Sequence, residues 1–269
     1  MKRLKKIVFK TALVLISIYI VICSVLYFQQ ESMIFFPKKL SANYKFNYST
    51  KFEEKTIHTS DKNNLNGLLF KSDTTKGLIF YLHGNSGALD TWGNMAETYT
   101  NLNYDLFILD YRGFGKSSGE ISSEEQFYSD IQTAYNSLKT QYAENKIIII
   151  GYSIGTGPAA MLAATNNPKT LILQAPYYSL IDMMHQDYPF IPNFLLKYKF
   201  ETYEFVKKTK APIIVFHGNA DEVIYYGSSV KLEQHFKSND RLITLIGHGH
   251  SAINENLEYR DELKKILNL

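Results

Sequence analysis

The stretch KIIIIGYSIGTG, residues 146–157, decides the fold. Its four consecutive isoleucines are typical of a β-strand that is buried on both faces. Gly151, Ser153 and Gly155 follow with the spacing G-x-S-x-G, and the small apolar residues after them are typical of a helix. A serine on a sharp turn between a strand and a helix presents its hydroxyl at the end of a sheet. The stretch therefore predicts Ser153 as a nucleophile.

An alternative interpretation of the same stretch is a glycine-rich turn that binds phosphate at the N-terminus of a helix. Turns of that kind usually carry the pattern G-x-G-x-x-G or a P-loop with a lysine. The residues around Ser153 match neither pattern. The nucleophile is the favoured interpretation.

Seven further runs are typical of strands. Two early runs, 52–58 and 66–71, flank the turn-rich sequence SDKNN and are expected to pair antiparallel. The others are apolar at consecutive positions, as expected for strands covered on both faces. These are GLIFYL (77–82), YDLFILD (104–110), KTLILQAP (169–176), APIIVFHG (211–218) and RLITLIG (241–247).

Helical patterns alternate with these runs, near 89–101, 122–143, 155–166 and 226–238. Ser122 or Ser123 is expected to cap the second helix. This alternation predicts an α/β fold with a mostly parallel central sheet flanked by helices. The interval 177–210, rich in aromatic residues and interrupted by Pro189 and Pro192, predicts a small cap insertion.

Two acid–base candidates follow later strand runs. In an open α/β sheet, ligands bind outside the carboxyl ends of the strands. Asp221 follows APIIVFHG, and His250 follows RLITLIG within GHGHS. A serine needs a base, and the base needs a carboxylate that orients it. The sequence therefore predicts Asp221 as the acid and His250 as the base, with Glu222 and His248 as their rivals.

The segment HGNSG, residues 83–87, follows the strand run 77–82. Its glycines allow a close approach of the backbone, so that an amide N–H can point into the site. The backbone N–H groups of Asn85 and Ile154 are predicted to form an oxyanion hole. His83 is expected to support this loop rather than to take part in the chemistry.

These motifs resemble those of the α/β-hydrolase superfamily, in particular its membrane-anchored small-cap esterases, which are similar to protein depalmitoylases and lysophospholipases. The resemblance covers about residues 75–251 and implies a serine hydrolase with Ser153, Asp221, His250 and the oxyanion amides in the roles given above. It also implies that Asp110 and Arg112 support the site. The matching segments are HGNSG, DYRGFGKSSG (110–119), GYSIGTG, APYYSL (175–180), HGNADEV (217–223) and GHGHS. Departures from the family pattern are His248 and Ser86, which stand where small residues are usual.

Composition narrows the class of protein further. The 269 residues, 45% of them apolar, are enough for one sizeable α/β domain with a short extension. The net charge is +3, but five cations lie within residues 1–10, which leaves −2 for residues 11–269. No nucleic-acid-binding face is expected. A single cysteine and no metal-ligand spacing of the histidines predict neither a disulfide nor a metal site, and no cofactor is expected.

Residues 1–30 are predicted to form a cytoplasmic tail and a transmembrane anchor. The stretch 11–28 is uncharged and mostly apolar, and a helix over 7–28 would be about 33 Å long, enough to cross a bilayer. The flanking cations place the remaining chain on the non-cytoplasmic side. Alternatives are a cleaved signal peptide, lipidation of Cys23 and a buried helix.

Residues 31–50 are interpreted as an interfacial linker, and residues 51–269 as the hydrolase domain. Within the linker, Ile34, Phe35 and Phe36 lie beside Lys38 and Lys39, a composition that suits a membrane interface. Packing of this segment on the domain is an equally good interpretation.

The predicted activity is hydrolysis of carboxylic esters or thioesters, with lipid-like or acylated substrates. A serine peptidase or amidase with the same triad is one alternative, and a non-catalytic, membrane-tethered binding protein is another. Aromatic residues of the cap are expected either to line an acyl pocket or to pack the cap onto the core. They are Tyr177, Tyr178, Tyr188, Phe190, Phe194, Tyr198 and Phe200. The oligomeric state is not indicated by the sequence.

Overall fold

The computed structural model describes residues 1–268 and contains an eight-stranded sheet. A further pair of two-residue strands, β1 and β5, lies outside that sheet. Along the chain the strands are β1 (Phe36–Pro37), β2 (Phe52–His58), β3 (Asn64–Phe70), β4 (Leu78–Leu82), β5 (Ser86–Gly87), β6 (Asp105–Leu109), β7 (Ile147–Tyr152), β8 (Thr170–Gln174), β9 (Ile213–Gly218) and β10 (Arg241–Leu245).

The order of strands in the large sheet is β10-β9-β8-β7-β4-β6-β3-β2. β2 runs antiparallel to β3 and β3 antiparallel to β6, whereas all the other neighbours are parallel. The prediction of an α/β fold with a mostly parallel sheet is thereby confirmed. Each of the eight predicted strand runs is present, with ends within about three residues of those expected.

The helices are α1 (Lys2–Phe28), α2 (Gln30–Ile34), α3 (Leu89–Trp92), α4 (Ala96–Thr100), α5 (Glu124–Leu138), α6 (Thr156–Thr165), α7 (Leu180–Asp187), α8 (Thr202–Lys208), α9 (Gly227–Glu233) and α10 (Leu257–Asn268). The Ser123 hydroxyl accepts a hydrogen bond from the Gln126 amide and caps α5, as expected. α10 was not among the helices predicted from the sequence.

The core has two layers, one on each face of the sheet, because successive side chains of a strand point to opposite faces. Leu78, Phe80 and Leu82 of β4 belong to one layer, whereas Ile79 and Tyr81 belong to the other. All five of these side chains are fully buried. This double coverage explains why the central strands are apolar at every position.

The single helix expected over 89–101 is wrong, because α3 and α4 are separated by a 3₁₀ turn over Gly93–Met95. A Cβ atom at Gly93 would lie 2.4 Å from the ring of Tyr48, so the aromatic ring occupies the space that a side chain would need. Glycine is also a weak helix former. The helix expected over 226–238 ends at Glu233, and the one expected over 122–143 ends at Leu138.

The cap interval contains α7, α8 and a 3₁₀ turn over Asn193–Leu195. Three of its aromatic residues, Tyr177, Tyr198 and Phe200, are buried in the core beside Phe127. Three others are exposed: Tyr188, Phe190 and Phe194. The aromatic residues of the cap therefore divide into a set that packs and a set that faces outward.

The N-terminal helix α1 buries none of its residues and is long and apolar enough to cross a membrane. The segment after it packs on the domain. Phe35 is buried against the rings of Phe127 and Tyr198, with ring centres 5.5 and 5.7 Å away. Phe36, in contrast, is exposed.

Candidate active site

Ser153 lies at the turn between β7 and α6, within a short 3₁₀ segment. Its φ angle is +53°, a left-handed conformation that is unfavourable for a residue with a side chain. Strain of this kind is the geometry expected of a nucleophilic serine on a strand–helix turn. The residue is 8% exposed.

The glycines on either side of Ser153 are required by close packing. A Cβ at Gly155 would lie 2.2 Å from the carbonyl oxygen of Leu82, and one at Gly151 would lie 2.4 Å from the carbonyl oxygen of Gly155. Neither distance is compatible with a side chain. The spacing G-x-S-x-G is thus the sequence signature of a turn pressed against the end of β4.

A continuous chain of hydrogen bonds joins the three predicted catalytic side chains. The Ser153 Oγ atom lies 3.0 Å from His250 Nε2, and His250 Nδ1 lies 2.8 Å from Asp221 Oδ2. The serine comes from the end of β7, and the other two residues from the loops after β9 and β10. This arrangement allows the imidazole to receive the serine proton while the carboxylate orients the ring.

Asp221 is surrounded by hydrogen-bond donors. Its Oδ1 atom accepts bonds from the amides of Val223 and Ile224, each 2.8 Å long. Its Oδ2 atom lies within reach of both His250 and His217 Nε2, the latter at 3.1 Å. Burial acts to raise the pKa of Asp221, but the bonds from His217, His250 and the Ile224 amide outweigh it, and the pKa lies well below its usual value. The carboxylate is therefore ionised at neutral pH.

His217 was not predicted from the sequence. It is fully buried at the end of β9, with Nδ1 2.6 Å from the Ser229 hydroxyl and Nε2 2.9 Å from the carbonyl oxygen of Ile224. Since Nε2 faces two acceptors, Asp221 and that carbonyl, it carries the proton and donates. The signal in the sequence is the HGNAD motif, where His217 precedes Asp221 by four residues.

The two rivals occupy other positions. The Glu222 carboxylate accepts a hydrogen bond of 3.3 Å from the backbone amide of His250 rather than from its ring. His248 Nδ1 lies 3.3 Å from the Asn256 side chain, and the His248 carbonyl accepts a bond from the Ala220 amide. Neither rival enters the chain that links Ser153 to Asp221.

The loop containing Asn85 is anchored by its neighbours. The Asn85 carbonyl accepts a 2.8 Å bond from the Phe36 amide, and its side chain donates a 2.9 Å bond to the carbonyl of Ile34. Within residues 1–268, the Asn85 N–H donates to no protein acceptor. The Ile154 N–H belongs to the first turn of a helical segment, where amides have no intrahelical acceptor. Both amides are thus available to a ligand.

His83 and Asp110 form a buried support beneath this loop. The His83 ring is stacked near Trp92 and Tyr111, and its Nδ1 atom lies 2.7 Å from the Gly84 carbonyl. Burial lowers the pKa of His83 to about 4 and raises the pKa of Asp110 to about 8. The two side chains lie close together, with His83 Nε2 3.7 Å from Asp110 Oδ1. The Asp110 carboxyl accepts from the Leu89 amide at 3.1 Å.

Arg112 connects three parts of the chain. Its guanidinium donates to Asp61 at 2.6 Å, in the turn between β2 and β3, and to Asp130 at 2.8 Å on α5. The side chain is 4% exposed, so these two acids neutralise a charge that is nearly removed from water. Arg112 thus has the contacts of a structural residue.

Tyr152 was also missed from the sequence. Its hydroxyl donates a 3.1 Å hydrogen bond to the carbonyl of His250, and the two rings lie 5.4 Å apart. A tyrosine inside G-x-S-x-G has no sequence feature that identifies such a contact.

Within residues 1–268, no group of three or more His, Cys, Asp or Glu side chains is arranged to hold a metal ion.

The chain is similar to known proteins over most of its length. It is 30% identical to the human protein "Alpha/beta hydrolase domain-containing protein 17B" over 202 residues, which are 73% of this chain and 68% of the relative. The chain belongs to the α/β-hydrolase family. The resemblance expected from the sequence motifs is thereby confirmed.

Other α/β-hydrolases share parts of the same pattern. "Alpha/beta hydrolase domain-containing protein 17C" of Xenopus tropicalis is 29% identical over 198 residues, 70% of this chain and 61% of the relative. The chain thus spans about three fifths of that relative's length. A family described as "Serine aminopeptidase, S33" matches residues 73–203. The structure of an esterase from Pyrococcus furiosus superposes with a TM-score of 0.69 at 17% identity, covering 87% of this chain and 97% of the esterase, and shows the shared fold.

Proposed function

We propose that this α/β-hydrolase is a serine hydrolase that cleaves carboxylic esters or thioesters. The observation that carries the proposal is the hydrogen-bond chain from Ser153 Oγ through His250 to Asp221, with links of 3.0 and 2.8 Å. An isolated serine hydroxyl is a weak nucleophile, and a base held at this distance is what activates it.

The reaction has two acyl-transfer steps. His250 Nε2 accepts the proton of Ser153 as the serine oxygen attacks the carbonyl carbon, and the amides of Asn85 and Ile154 bind the oxyanion. The tetrahedral intermediate expels the alcohol or thiol, which takes the proton from His250, and leaves an acyl-serine. A water then gives its proton to His250 as its oxygen attacks the acyl carbon. The second tetrahedral intermediate expels Ser153 Oγ, which takes that proton back from His250, and the acid is released.

We also propose that α1 is retained as a membrane anchor, with the hydrolase domain on the non-cytoplasmic side. Its length, its apolar composition and the absence of any buried residue in it support an environment of lipid. The cations of residues 1–10 support a cytoplasmic N-terminus. A tethered enzyme meets lipids and acylated proteins at high local concentration, which favours substrates of these classes.

A peptidase or amidase is the second candidate, because the matching family is described as a serine aminopeptidase. The same side chains can attack an amide carbonyl. Comparison of p-nitrophenyl esters with aminoacyl p-nitroanilides distinguishes the two activities. Faster hydrolysis of the anilides would favour the peptidase.

The first test is the replacement of the nucleophile. Ser153→Ala should abolish labelling by a fluorophosphonate probe and reduce the hydrolysis of p-nitrophenyl butyrate by about 10⁶-fold, to background, because no other group can form the acyl intermediate. Labelling is read by in-gel fluorescence, and hydrolysis by absorbance of the released phenol.

Ser122→Ala is the matched control, since this exposed serine lies just before α5 and away from the triad. It should label and turn over like the wild type. If Ser153→Ala kept wild-type rates, the assignment of the nucleophile would be wrong. A folded wild type that neither labels nor hydrolyses would favour the non-catalytic binding protein.

A further inference from the structure

The cap carries a surface that the proposed hydrolysis does not use. Residues 188–195, here called the cap tip, have the sequence YPFIPNFL and no charge. Tyr188, Phe190 and Phe194 are 64%, 86% and 79% exposed. Large aromatic side chains that are this exposed and adjacent are unusual on a surface that faces only water.

The exposure of the cap tip is not a by-product of loose packing in the cap. Tyr177, Tyr198 and Phe200, on either side of the tip in sequence, are 1% exposed or less and pack into the core. The cap thus buries the aromatic residues that hold it to the domain and leaves a separate set outside. The outward set needs an apolar partner of its own.

The cap tip is continuous with the N-terminal helix. The Tyr19 hydroxyl donates a 2.9 Å hydrogen bond to the carbonyl of Phe190, and Cys23 and Tyr27 line a cleft with Pro192 and Phe194 on its other side. The Gln30 side chain donates a 2.6 Å bond to the Leu195 carbonyl. The tip therefore lies along the final third of α1.

The charged residues mark where this apolar surface ends. Glu31 is the first charged residue after Lys10, and its carboxylate lies 3.2 Å from the ammonium of Lys197, the first charged residue after the cap tip. The segments after α1 and after the cap tip thus become charged at the same level, and Asp187 bounds the cap tip on its other side in sequence. Tyr19, which contacts Phe190, precedes the end of α1 at Phe28 by nine residues, about 13 Å along a helix. Phe190 therefore lies beside the apolar part of α1, well before that helix ends.

We infer that the cap tip inserts into the membrane beside the end of α1, so that a lipid bilayer covers Tyr188, Phe190 and Phe194. The inference rests on the proposed anchoring of α1 and deepens the proposed function. The cap also contacts the turn that carries the nucleophile, because Tyr177 Oη donates a 3.2 Å hydrogen bond to the Ile154 carbonyl. The consequence of this inference for the substrate is that acyl chains reach the hydrolase domain from the bilayer at the cap tip.

A second copy of the chain is a less suitable partner for this surface. The cap tip is contiguous with a helix whose own apolar side chains are largely exposed, and a bilayer covers both surfaces together. Aromatic and proline residues flanked by charged residues are also the composition of segments that lie in the bilayer interface.

The test uses the full chain, reconstituted in phosphatidylcholine vesicles with and without brominated acyl chains. In a Cys23→Ser background, Phe190→Cys, Leu15→Cys and Lys265→Cys are labelled singly with an NBD fluorophore. Position 190 reports on the cap tip, position 15 on α1, and position 265 on an exposed part of α10. Brominated lipid should quench the labels at 190 and 15 at least twofold and leave 265 unchanged, whereas iodide in the buffer should quench 265 alone.

Three outcomes would overturn the inference. Quenching by lipid at 15 combined with quenching by iodide at 190 would place the tip in water. Protection of 190 from both quenchers would show that protein, such as a second copy, covers it. Absence of lipid quenching at 15 would remove the anchor and the inference with it. All three results are independent of whether the protein hydrolyses esters.

A double variant, Phe190→Ser with Phe194→Ser, tests the consequence for the substrate. Both side chains are exposed, so hydrolysis of water-soluble p-nitrophenyl butyrate should stay within twofold of wild type, which also shows that the variant folds. Hydrolysis of a long-chain ester embedded in vesicles should fall at least tenfold. Equal loss on both substrates, or loss on neither, would contradict delivery of substrate through the tip.

Discussion

The carboxylate of Asp221 depends on a residue that lies outside the predicted triad. His217 donates to Asp221 Oδ2, the same oxygen that lies next to His250, and the Ser229 hydroxyl contacts the other nitrogen of its ring. An imidazole fixed on both sides prevents the carboxylate from rotating away from His250. His217 is thus a positioning residue for the acid.

We expect His217→Ala to reduce kcat for p-nitrophenyl butyrate about tenfold, because one hydrogen bond to a charged group contributes about 1.5 kcal/mol. His217→Gln, whose amide nitrogen can reach the position of Nε2, should recover most of this loss. Steady-state kinetics on both variants provides the measurement. Equal rates for the alanine variant and the wild type would show that Asp221 is positioned without His217.

The same substitution has a signature in the pH dependence of stability. Because the pKa of Asp221 is depressed in the fold, its stabilising contribution is complete above its unfolded pKa, about 4, and is lost as the pH falls through the lower folded pKa. Removing the His217 donor raises the folded pKa. His217→Ala should therefore gain less stability than wild type as the pH rises from about 3 to 5, as measured by urea unfolding.

Ser153, Asp221 and His250 were accessible to sequence reasoning because each follows an apolar strand run, where ligands bind in an α/β sheet. His217 was not, because it lies inside a strand run whose other residues are core. His248 and His250 lie two residues apart in one loop, so the sequence predicts His250 as the base but keeps His248 as a rival. The three-dimensional structure shows which of the two rings faces Ser153. The sequence orders the candidates, whereas the direction of each side chain is decided by tertiary packing.

At the scale of elements, the turn between β7 and α6 is a close contact between three backbone segments. Gly155 has an ordinary helical φ angle of −66°, so its requirement for glycine is steric. Gly247, after β10, has a φ angle of +70°, and a Cβ there would meet no atom of residues 1–268 within 4 Å. Substitution of Gly155 therefore tests steric crowding alone, and substitution of Gly247 tests backbone strain alone.

Gly155→Ala should lower the free energy of unfolding by about 3 kcal/mol, because the methyl group would displace the end of β4. Gly247→Ala should lower it by only about 1 kcal/mol, the cost of a left-handed conformation for a residue with a Cβ. Urea denaturation followed by circular dichroism measures both changes. A larger loss at Gly247 than at Gly155 would contradict the steric account.

Strands were predicted better than helices in this chain. Consecutive apolar residues, such as the isoleucines of β7, predict the buried strands directly. Gly93, in the 3₁₀ turn between α3 and α4, packs against the ring of Tyr48, which is distant in sequence, so local periodicity does not predict this contact. α7 and α8 lie in the cap, whose aromatic residues serve two surfaces at once and so follow no single period.

At the scale of the whole molecule, we propose that the boundary between the anchor and the hydrolase domain lies between α1 and α2. α1 buries no residue, whereas the next segment bonds to the cap and to the Asn85 loop. Residues 30–37 are therefore part of the domain in the contacts they make, although the sequence suits an interfacial linker equally well.

A chain that begins at Gln29 should keep the Tm of the full chain within about 2 °C, since it loses no buried residue. A chain that begins at Lys38 should lose about 3 kcal/mol, mostly from the burial of Phe35, and its Tm should fall by about 6–12 °C. Differential scanning fluorimetry in the same detergent compares the three chains. A similar Tm for all three chains would show that residues 30–37 do not stabilise the domain and act as a linker.

The contacts of residues 34–40 also determine how this region can evolve. Ile34 accepts from Asn85 through its carbonyl, Phe36 and Lys38 donate through their amides to Asn85 and Gly87, and Leu40 donates through its amide to Gly115. Main-chain bonds are indifferent to the side chain that each residue carries. Substitutions can accumulate here apart from Phe35, whereas one inserted or deleted residue shifts every bond in the series. Selection should therefore preserve the length of this segment more strictly than its composition.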